Sequence, residues 1–274
     1  FKKVNSYPNF YSAYYNLGVE PGWVLLSRLL KPFGFQMQIF IVGFLIYFIY
    51  YTLIDRYVTR PYRWIGIALF LLNAKLFLLN LSMLRQGLAG TFLFYSIILS
   101  IENKNIKSVI LFLLAISVHT SAFIGVPFIM AIILQKIIKP EYLIYVSVLI
   151  AIGLFIKPEI GDYFFTFLLD SNEISGMYGQ YIVSQNESSS GTGIGVMIQY
   201  IAIIPSLIYY KYLKIEDKYF AVLYIMILLL IPLTKYAVML FRVFSYFLPF
   251  TVLLFPRLYD RKMNNIEKKF NKSK

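Results

Sequence analysis

The chain has 274 residues, of which 59% are hydrophobic, and its mean hydropathy is +0.69. Such long apolar runs exclude an ordinary soluble domain, and because they are continuous rather than alternating they also exclude a membrane β-barrel. The chain contains no cysteine, so disulfides and thiolate chemistry are excluded. The sequence therefore predicts an all-α polytopic membrane protein with about eight or nine transmembrane or half-membrane helices.

We predict one membrane domain over residues 1–274, because no linker divides the apolar runs into two cores. Its parts in chain order are an outer segment with an interfacial helix (1–36), helices (37–156), a long polar outer loop (157–193), further helices (194–256) and a basic cytoplasmic tail (257–274). The runs that predict spans are 37–54, 64–80, 83–101, 142–156, 195–213, 219–234 and 238–255. Since the chain begins at Phe1 rather than Met, we expect that the N-terminus of the protein is missing.

The stretch 108–134 differs from the other apolar runs because His119-Thr120-Ser121 interrupts it and basic residues flank both of its ends. Equal flanks predict that both ends lie on one side of the membrane. Residues 108–118 would reach only about 16 Å, roughly half of the hydrocarbon core. We therefore predict a short hairpin that folds at His119, and the alternative is one long tilted helix.

The net charge of +13 is explained by orientation in the membrane, so no nucleic-acid partner is needed. Most of the 26 Lys and Arg residues lie in segments that the threading places inside the cell: 55–63, 102–107, 135–141, 211–218 and 257–274. By the positive-inside rule this bias fixes the C-terminus in the cytoplasm. The chain is then a multi-pass protein of a plasma membrane whose polar loop 157–193 faces outward.

Two arginines occur within apolar runs, where each costs about 2.5–3.5 kcal/mol at the membrane centre. Arg85 lies near the outer start of its run and Arg242 about one turn from the outer turn at Lys235. A pair of planar guanidinium groups at one face suits a phosphate or pyrophosphate, which each can bind through two hydrogen bonds. The alternative is that both side chains extend to the outer headgroups.

Three more polar residues fall on the same predicted face. His119 is the only histidine and can act as base, acid or donor, or can simply cap a helix, as Thr120 or Ser121 can. Glu20 is a candidate base or a turn residue. Lys75 is a candidate third anion contact or a packing residue.

Metal chemistry is not predicted, because the chain has one histidine, no cysteine and no DxD pair. It also lacks a glycine-rich phosphate loop, a Walker lysine and a GxSxG motif, and we predict no cofactor.

Four stretches carry a resemblance to a known family: Val19-Glu20-Pro21-Gly22-Trp23, Leu84-Arg85-Gln86-Gly87-Leu88-Ala89, Val118-His119-Thr120-Ser121-Ala122 and Arg242-Val243-Phe244-Ser245-Tyr246-Phe247. In this order and spacing they resemble the EpsG family of bacterial exopolysaccharide and O-antigen polymerases (Wzy-type). The likeness extends from Asn5 to about Pro256. One departure is Asn5-Ser6-Tyr7, since the family often has an acidic residue before this tyrosine.

The resemblance implies a GT-C-like architecture in a bacterial inner membrane, and a glycosyltransferase reaction. A growing glycan on undecaprenyl pyrophosphate is transferred, on the outer face, to the terminal sugar of a new lipid-linked repeat unit. Arg85 and Arg242 would hold the donor pyrophosphate, and His119 or Glu20 would activate the acceptor hydroxyl. The remaining candidates for substrate binding are Gln86, Ser121, Lys75 and Tyr246. The partners implied are the lipid-linked oligosaccharide, the lipid bilayer and a candidate chain-length regulator protein.

Three other functions are considered as alternatives to the polymerase. A lipid-linked glycan ligase would use the same arginines and histidine with a different acceptor. A membrane O-acyltransferase would also use a histidine in a membrane cavity, but no polar partner stands beside His119 at helical spacing. A lipid-linked oligosaccharide flippase should distribute charges along a path to the inner side.

Overall fold

The computed structural model describes residues 2–73, 76–77, 80, 83–133, 142, 145, 148–149, 152, 204, 208, 210, 213–230 and 245–272. Every element in these ranges is helical. The chain divides into two compact units, one of Phe1–Ile138 with Tyr246–Lys274 and one of Lys139–Ser245. The single domain over 1–274 stays a prediction.

The first unit contains nine described helices: α1 (Lys2–Ser6), α2 (Phe10–Leu17), α3 (Pro21–Leu29), α4 (Gly34–Tyr57), α5 (Arg63–Leu72), α6 (Leu84–Ile101), α7 (Asn105–Val118), α8 (Val126–Ile133) and α10 (Phe250–Lys272). A 3-10 helix over Thr120–Gly125 joins α7 to α8, and another covers Ser245–Phe247. In the second unit the described helix is α9 (Ile215–Leu230).

Two of the described helices are long and apolar enough to cross a bilayer. They are Lys31–Tyr57, which includes α4 and has 27 residues, and α6, which has 18 residues. A span needs about 20 residues, so α7, with 14 residues, is short. Phe40, Phe44 and Phe48 form an exposed stacked stripe along α4, with ring centroids 6.3 and 5.8 Å apart. These features are those of a helical membrane protein.

Helix α6 is the centre of the first unit and packs against α4, α7 and α8. At its C-terminal end three buried serines join it to α7: Ser100 Oγ lies 2.6 Å from Ser108 Oγ, and Ser96 Oγ donates to the Ser108 carbonyl at 2.8 Å. The connecting turn passes through Asn103 in the left-handed region (φ 60°). Helices α6 and α7 are therefore an antiparallel pair.

An ion-pair cluster fixes this same end of α6. Glu102 binds Arg56 Nη2 at 2.8 Å and Lys104 Nζ at 2.7 Å, and it also accepts a hydrogen bond from the Tyr57 hydroxyl. Because Arg56 and Tyr57 end α4, the cluster ties α4 to α6. It lies at the opposite end of α6 from Arg85, which is in the first turn.

The chain reverses direction at His119. Helix α7 ends at Val118, and the 3-10 segment that follows brings Gly125 against Leu93 of α6 and Phe112 of α7. Since Leu93 lies well inside α6, the 3-10 segment runs back along α6 rather than onward from α7. The end of α7 is thus a turn with His119 at its tip.

Two sequence-predicted elements differ from the structure. The predicted span 64–80 is wrong as a continuous helix: α5 ends at Leu72 because Asn73 is extended (φ −81°, ψ 97°) and its side chain accepts a hydrogen bond from the Leu76 backbone. Asparagine competes with helical hydrogen bonding in this way. The predicted span 238–255 is also wrong as a continuous helix in its described part, because a 3-10 helix covers Ser245–Phe247 and α10 begins only at Phe250. Helix α10 then continues through Pro256, so most of the predicted tail is helical.

Candidate functional site

Glu20 occupies the N-cap of α3, directly after the αL residue Gly18 and Val19. Pro21 starts the helix at its first position, where a missing N–H costs nothing. The Glu20 side chain does not cap its own helix. It points instead into the first unit, where the residue is only 8% exposed.

The Glu20 carboxylate joins three segments of the chain. Its Oε2 lies 2.8 Å from Arg85 Nη1, and its Oε1 lies 2.5 Å from His119 Nδ1. Oε1 also accepts hydrogen bonds from the backbone N–H of Thr120 at 3.1 Å and from its hydroxyl at 3.4 Å. Four donors thus surround one buried anion, which is how a protein satisfies a buried charge.

These contacts determine whether Glu20 is charged. The residue lies before the two helices that are long enough to cross a bilayer. Burial acts to raise the pKa of this carboxyl, but the hydrogen bond from His119 and the charge of Arg85 act against it and lower the pKa from 4.5 to about 2. The carboxyl is therefore ionised at any physiological pH. A carboxylate with so low a pKa is a weak base but a strong hydrogen-bond acceptor.

His119 is held in one orientation by the backbone and by Glu20. Its backbone is extended (φ −156°, ψ 118°), and its N–H donates to the Ala115 carbonyl at 2.9 Å, closing the last turn of α7. Since an ionised carboxylate only accepts, Nδ1 carries the proton that it shares with Glu20. None of the described residues hydrogen-bonds Nε2, and the side chain is 15% exposed. Nε2 is the ring atom available to a ligand.

Arg85 supplies the positive charge of the site from the first turn of α6. Its side chain is 37% exposed, and within the described part of the chain only Nη1 is engaged, by Glu20. A guanidinium has five N–H donors. The rest of the group is therefore available to an anion beside Glu20 and His119.

Gly22 makes this assembly possible because α3 crosses the end of α7 at very short range. A Cβ at this position would clash with Ser117 Oγ and lie 2.7 Å from the Ser117 carbonyl oxygen. Any side chain here would force α3 away from α7. Glu20, two residues earlier, would then lose its reach to His119.

Ser121 and Tyr246 form a second contact next to the first. Ser121 Oγ lies 2.6 Å from the Tyr246 hydroxyl. The buried Tyr246 ring sits against Gly90 of α6, where a Cβ would lie 2.9 Å from ring atom Cδ1. The contact therefore fixes the 3-10 segment beside α6, two residues after His119.

The structure thus brings together Glu20, Arg85 and His119 and, beside them, Ser121 and Tyr246. Gln86 is buried in α6, at 7% exposure. Lys75 and Arg242 lie outside the described residues. Their predicted roles, like that of Gln86, stay predictions.

Two contributors to the site are not recognisable from the sequence. The sequence offers Thr120 as a helix cap, whereas in the structure its N–H and hydroxyl both bind Glu20. Gly22 is part of a family motif, but its close approach to Ser117 cannot be seen in a sequence. The adjacency of Thr120 to the only histidine was the available signal for the first of these.

The comparisons with known proteins give one match. A model of the EpsG family matches residues 3–272. No curated protein and no solved structure matches the chain. The EpsG family is generally associated with glycosyltransferase activity in polysaccharide biosynthesis, and membership suggests a membrane protein of the polysaccharide-polymerase type. Because the match covers nearly the whole chain, including Glu20, Arg85 and His119, the protein belongs to the EpsG family.

Proposed function

We propose that this protein polymerises undecaprenyl-pyrophosphate-linked oligosaccharide repeat units into a bacterial surface polysaccharide. The growing glycan is transferred from its lipid pyrophosphate to a hydroxyl on the terminal sugar of a new lipid-linked unit. Family membership supports the class of reaction. The observation that carries the proposal is the ionised Glu20, which holds an imidazole and a guanidinium side by side.

In this reaction His119 is the base. Nε2 takes the proton of the acceptor hydroxyl while the acceptor oxygen forms a bond to the anomeric carbon of the donor. The bond from that carbon to the pyrophosphate oxygen breaks, and undecaprenyl pyrophosphate leaves with the electron pair. The imidazolium that forms is stabilised by the Glu20 carboxylate 2.5 Å from Nδ1 and later returns its proton to water.

Arg85 binds the pyrophosphate. Its N–H groups beyond the one bound to Glu20 face the leaving group, where negative charge increases as the bond breaks. Glu20 holds this guanidinium in place but occupies only the Nη1 donor, so the other N–H groups can still bind the pyrophosphate. Arg242 and Lys75 are proposed as further contacts of the same anion, and Gln86, Ser121 and Tyr246 as residues that line the substrate.

We place the reaction on the outer face of a bacterial plasma membrane, with the C-terminus of this multi-pass chain in the cytoplasm. The excess of basic residues in the predicted inner segments supports this orientation. The proposed GT-C-like architecture puts the lipid-linked substrate in the bilayer plane. A chain-length regulator protein is the proposed protein partner.

The test is complementation of a host strain that lacks this gene. Wild type should restore a ladder of polysaccharide chains on a gel, whereas Arg85→Ala and His119→Ala should leave a single-repeat band. Arg56→Ala is the matched control, because Arg56 also pairs with one glutamate at 2.8 Å and is similarly exposed, but at the other end of α6. A full ladder in the deletion strain would refute polymerisation.

Acyl transfer is a second candidate, because the Glu20–His119 pair activates a hydroxyl equally well for that reaction. The polar partner of His119 that the sequence did not reveal is Glu20, 99 positions away. Arg85 favours the pyrophosphate donor over an acyl donor. Mass analysis of the polysaccharide separates the two: a lost acyl group on chains of normal length would support acyl transfer.

A further inference from the structure

The helix before Glu20 carries an exposed face of tyrosines that the reaction above leaves without a role. On α2, Tyr11 is 70%, Tyr14 37% and Tyr15 77% exposed. Their rings form a continuous group with Phe10: Phe10 and Tyr14 stack with an interplanar angle of 12°, and Tyr14 meets Tyr15 edge-on at 5.2 Å. We call Tyr11, Tyr14 and Tyr15 the tyrosine face.

This face is rigid. Asn9 caps the start of α2, accepting a hydrogen bond from the Ser12 backbone at 2.8 Å, and Gly18 ends the helix in the αL conformation. Arg28 of α3 holds the preceding loop through the carbonyls of Tyr7 at 2.9 Å and Asn9 at 2.6 Å. The helix therefore needs little backbone ordering when its rings bind a ligand.

The tyrosine face is also close to the reacting groups. Helix α2 ends at Leu17, and Glu20 follows three residues later. Three residues of fully extended chain span at most about 11 Å. A ligand on α2 is therefore within the length of a short oligosaccharide of Glu20 and His119.

The tyrosine face is more polar than the exposed surfaces of α4 and α7, which suit contact with lipid. The exposed stripe on α4 consists of Phe40, Phe44 and Phe48 and continues to a single tyrosine, Tyr51, and the exposed side of α7 carries aliphatic side chains without hydroxyls. On α2, by contrast, all three exposed rings carry a hydroxyl, and Asn16, whose amide nitrogen donates to the Ser12 carbonyl at 2.7 Å, is exposed to one side of them. The helix has no lysine or arginine, which helices that lie on a lipid surface typically carry on their polar side.

We propose that the tyrosine face binds the saccharide part of the lipid-linked substrate, an inference that rests on the proposed function. Flat aromatic rings pack against the C–H face of a pyranose, as they do against other apolar surfaces. The tyrosine hydroxyls and the Asn16 amide then donate to and accept from sugar hydroxyls. Glu20, His119 and Arg85 act at the pyrophosphate end, and α2 holds the sugars.

The experiment measures binding of a free oligosaccharide to the full chain in nanodiscs. The probe is the repeat-unit oligosaccharide released by mild acid from the host's lipid-linked precursor, and the readout is saturation transfer from protein to sugar protons in NMR. The double variant Tyr11→Ala/Tyr15→Ala should weaken binding at least about fivefold, the ratio expected for two lost ring contacts. The folded state should survive, because both side chains are exposed and alanine favours helix.

Two controls sharpen this test. Phe44→Ala removes an equally exposed ring from α4 and should leave binding unchanged. Tyr11→Phe/Tyr15→Phe keeps the rings and should bind more tightly than the double alanine variant. Arg56→Ala, at the far end of α6, should bind the free oligosaccharide as wild type does.

The proposal is overturned if the double alanine variant binds like wild type, or if wild type shows no saturation transfer at millimolar oligosaccharide. It is also overturned if the fluorescence of Tyr15→Trp is quenched by brominated lipids as strongly as that of Phe44→Trp, because the face would then lie in the bilayer. A full ladder in the deletion strain alongside tyrosine-dependent binding would refute polymerisation alone, and the saccharide site would stand.

Discussion

Replacing Glu20 by glutamine is the sharpest test of the site, because it keeps the size of the side chain and removes only its charge. An amide oxygen still accepts one hydrogen bond from His119, which now lies 2.5 Å from the carboxylate. The ion pair with Arg85 is lost, and an imidazolium would no longer face an anion. We therefore expect Glu20→Gln to affect both the rate of the reaction and the stability of the fold.

The magnitude follows from the contacts. A pKa lowered from 4.5 to about 2 corresponds, at 1.36 kcal/mol for each unit, to about 3 kcal/mol of stability. Because Arg85 is 37% exposed, water screens part of its attraction, so we expect Glu20→Gln to cost about 2 kcal/mol. Loss of the group that stabilises the protonated base should lower kcat by roughly 10²–10⁴.

The pH dependence has a definite sign. Since the pKa of Glu20 is lower in the folded protein than in the unfolded chain, its stabilisation is complete above about pH 4.5 and is lost as the pH falls towards 2. Thermal melting in detergent should therefore show wild type losing its advantage over Glu20→Gln below about pH 4.5.

The assay combines this melting series with turnover of lipid-linked repeat units by the purified protein. Glu102→Gln is the control, because Glu102 also sits in an ion-pair cluster, with Arg56 and Lys104, at the far end of α6. It should cost stability and leave kcat within about twofold of wild type. The reasoning is refuted if Glu20→Gln, folded at the assay temperature, turns over as fast as Glu102→Gln.

Two further predictions concern packing. Gly22→Ala should lower activity at least about tenfold in the turnover assay, because the new Cβ would lie 2.7 Å from the Ser117 carbonyl oxygen. Gly43→Ala is the control. Its Cβ would meet the nearest neighbouring atom at 4.0 Å, so it should behave as wild type. Equal activity of the two alanine variants would contradict it. Tyr246→Phe and Ser121→Ala should each destabilise the fold by about 1 kcal/mol and together by less than the sum, because they remove one shared hydrogen bond of 2.6 Å. Strictly additive melting shifts would exclude that shared bond.

Sequence reasoning found the members of the site more easily than their arrangement. Arg85 and His119 were identifiable because a charged or titratable side chain near the middle of apolar sequence needs a reason. The partner of each was not identifiable, because Glu20 is 65 positions from Arg85 and 99 from His119. No local pattern encodes such a distance, so the sequence offers Glu20 as a base or a turn residue and not as the group between the other two.

Gln86 illustrates a different limit. It follows Arg85 directly and shares a motif with it, which suggested a shared role. Successive residues on a helix point about 100° apart, and on α6 this turns Gln86 inward, at 7% exposure, while the Arg85 side chain remains 37% exposed. The interruption of 64–80 at Asn73 has a similar cause, since one side chain with a local hydrogen bond outweighs the apolar pattern around it.

The length of α7 bears on where the proposed reacting groups at its end would lie. The helix begins just after the charged residues Glu102 and Lys104, which suit a bilayer surface, and its 14 residues rise about 21 Å. A hydrocarbon core is about 30 Å thick, so α7 alone is too short to cross it. Arg85 and Glu20 form a pair of zero net charge with every Glu20 oxygen hydrogen-bonded. A site built in this way can lie just below the headgroups, where the pyrophosphate of a lipid-linked sugar can reach it from within the membrane.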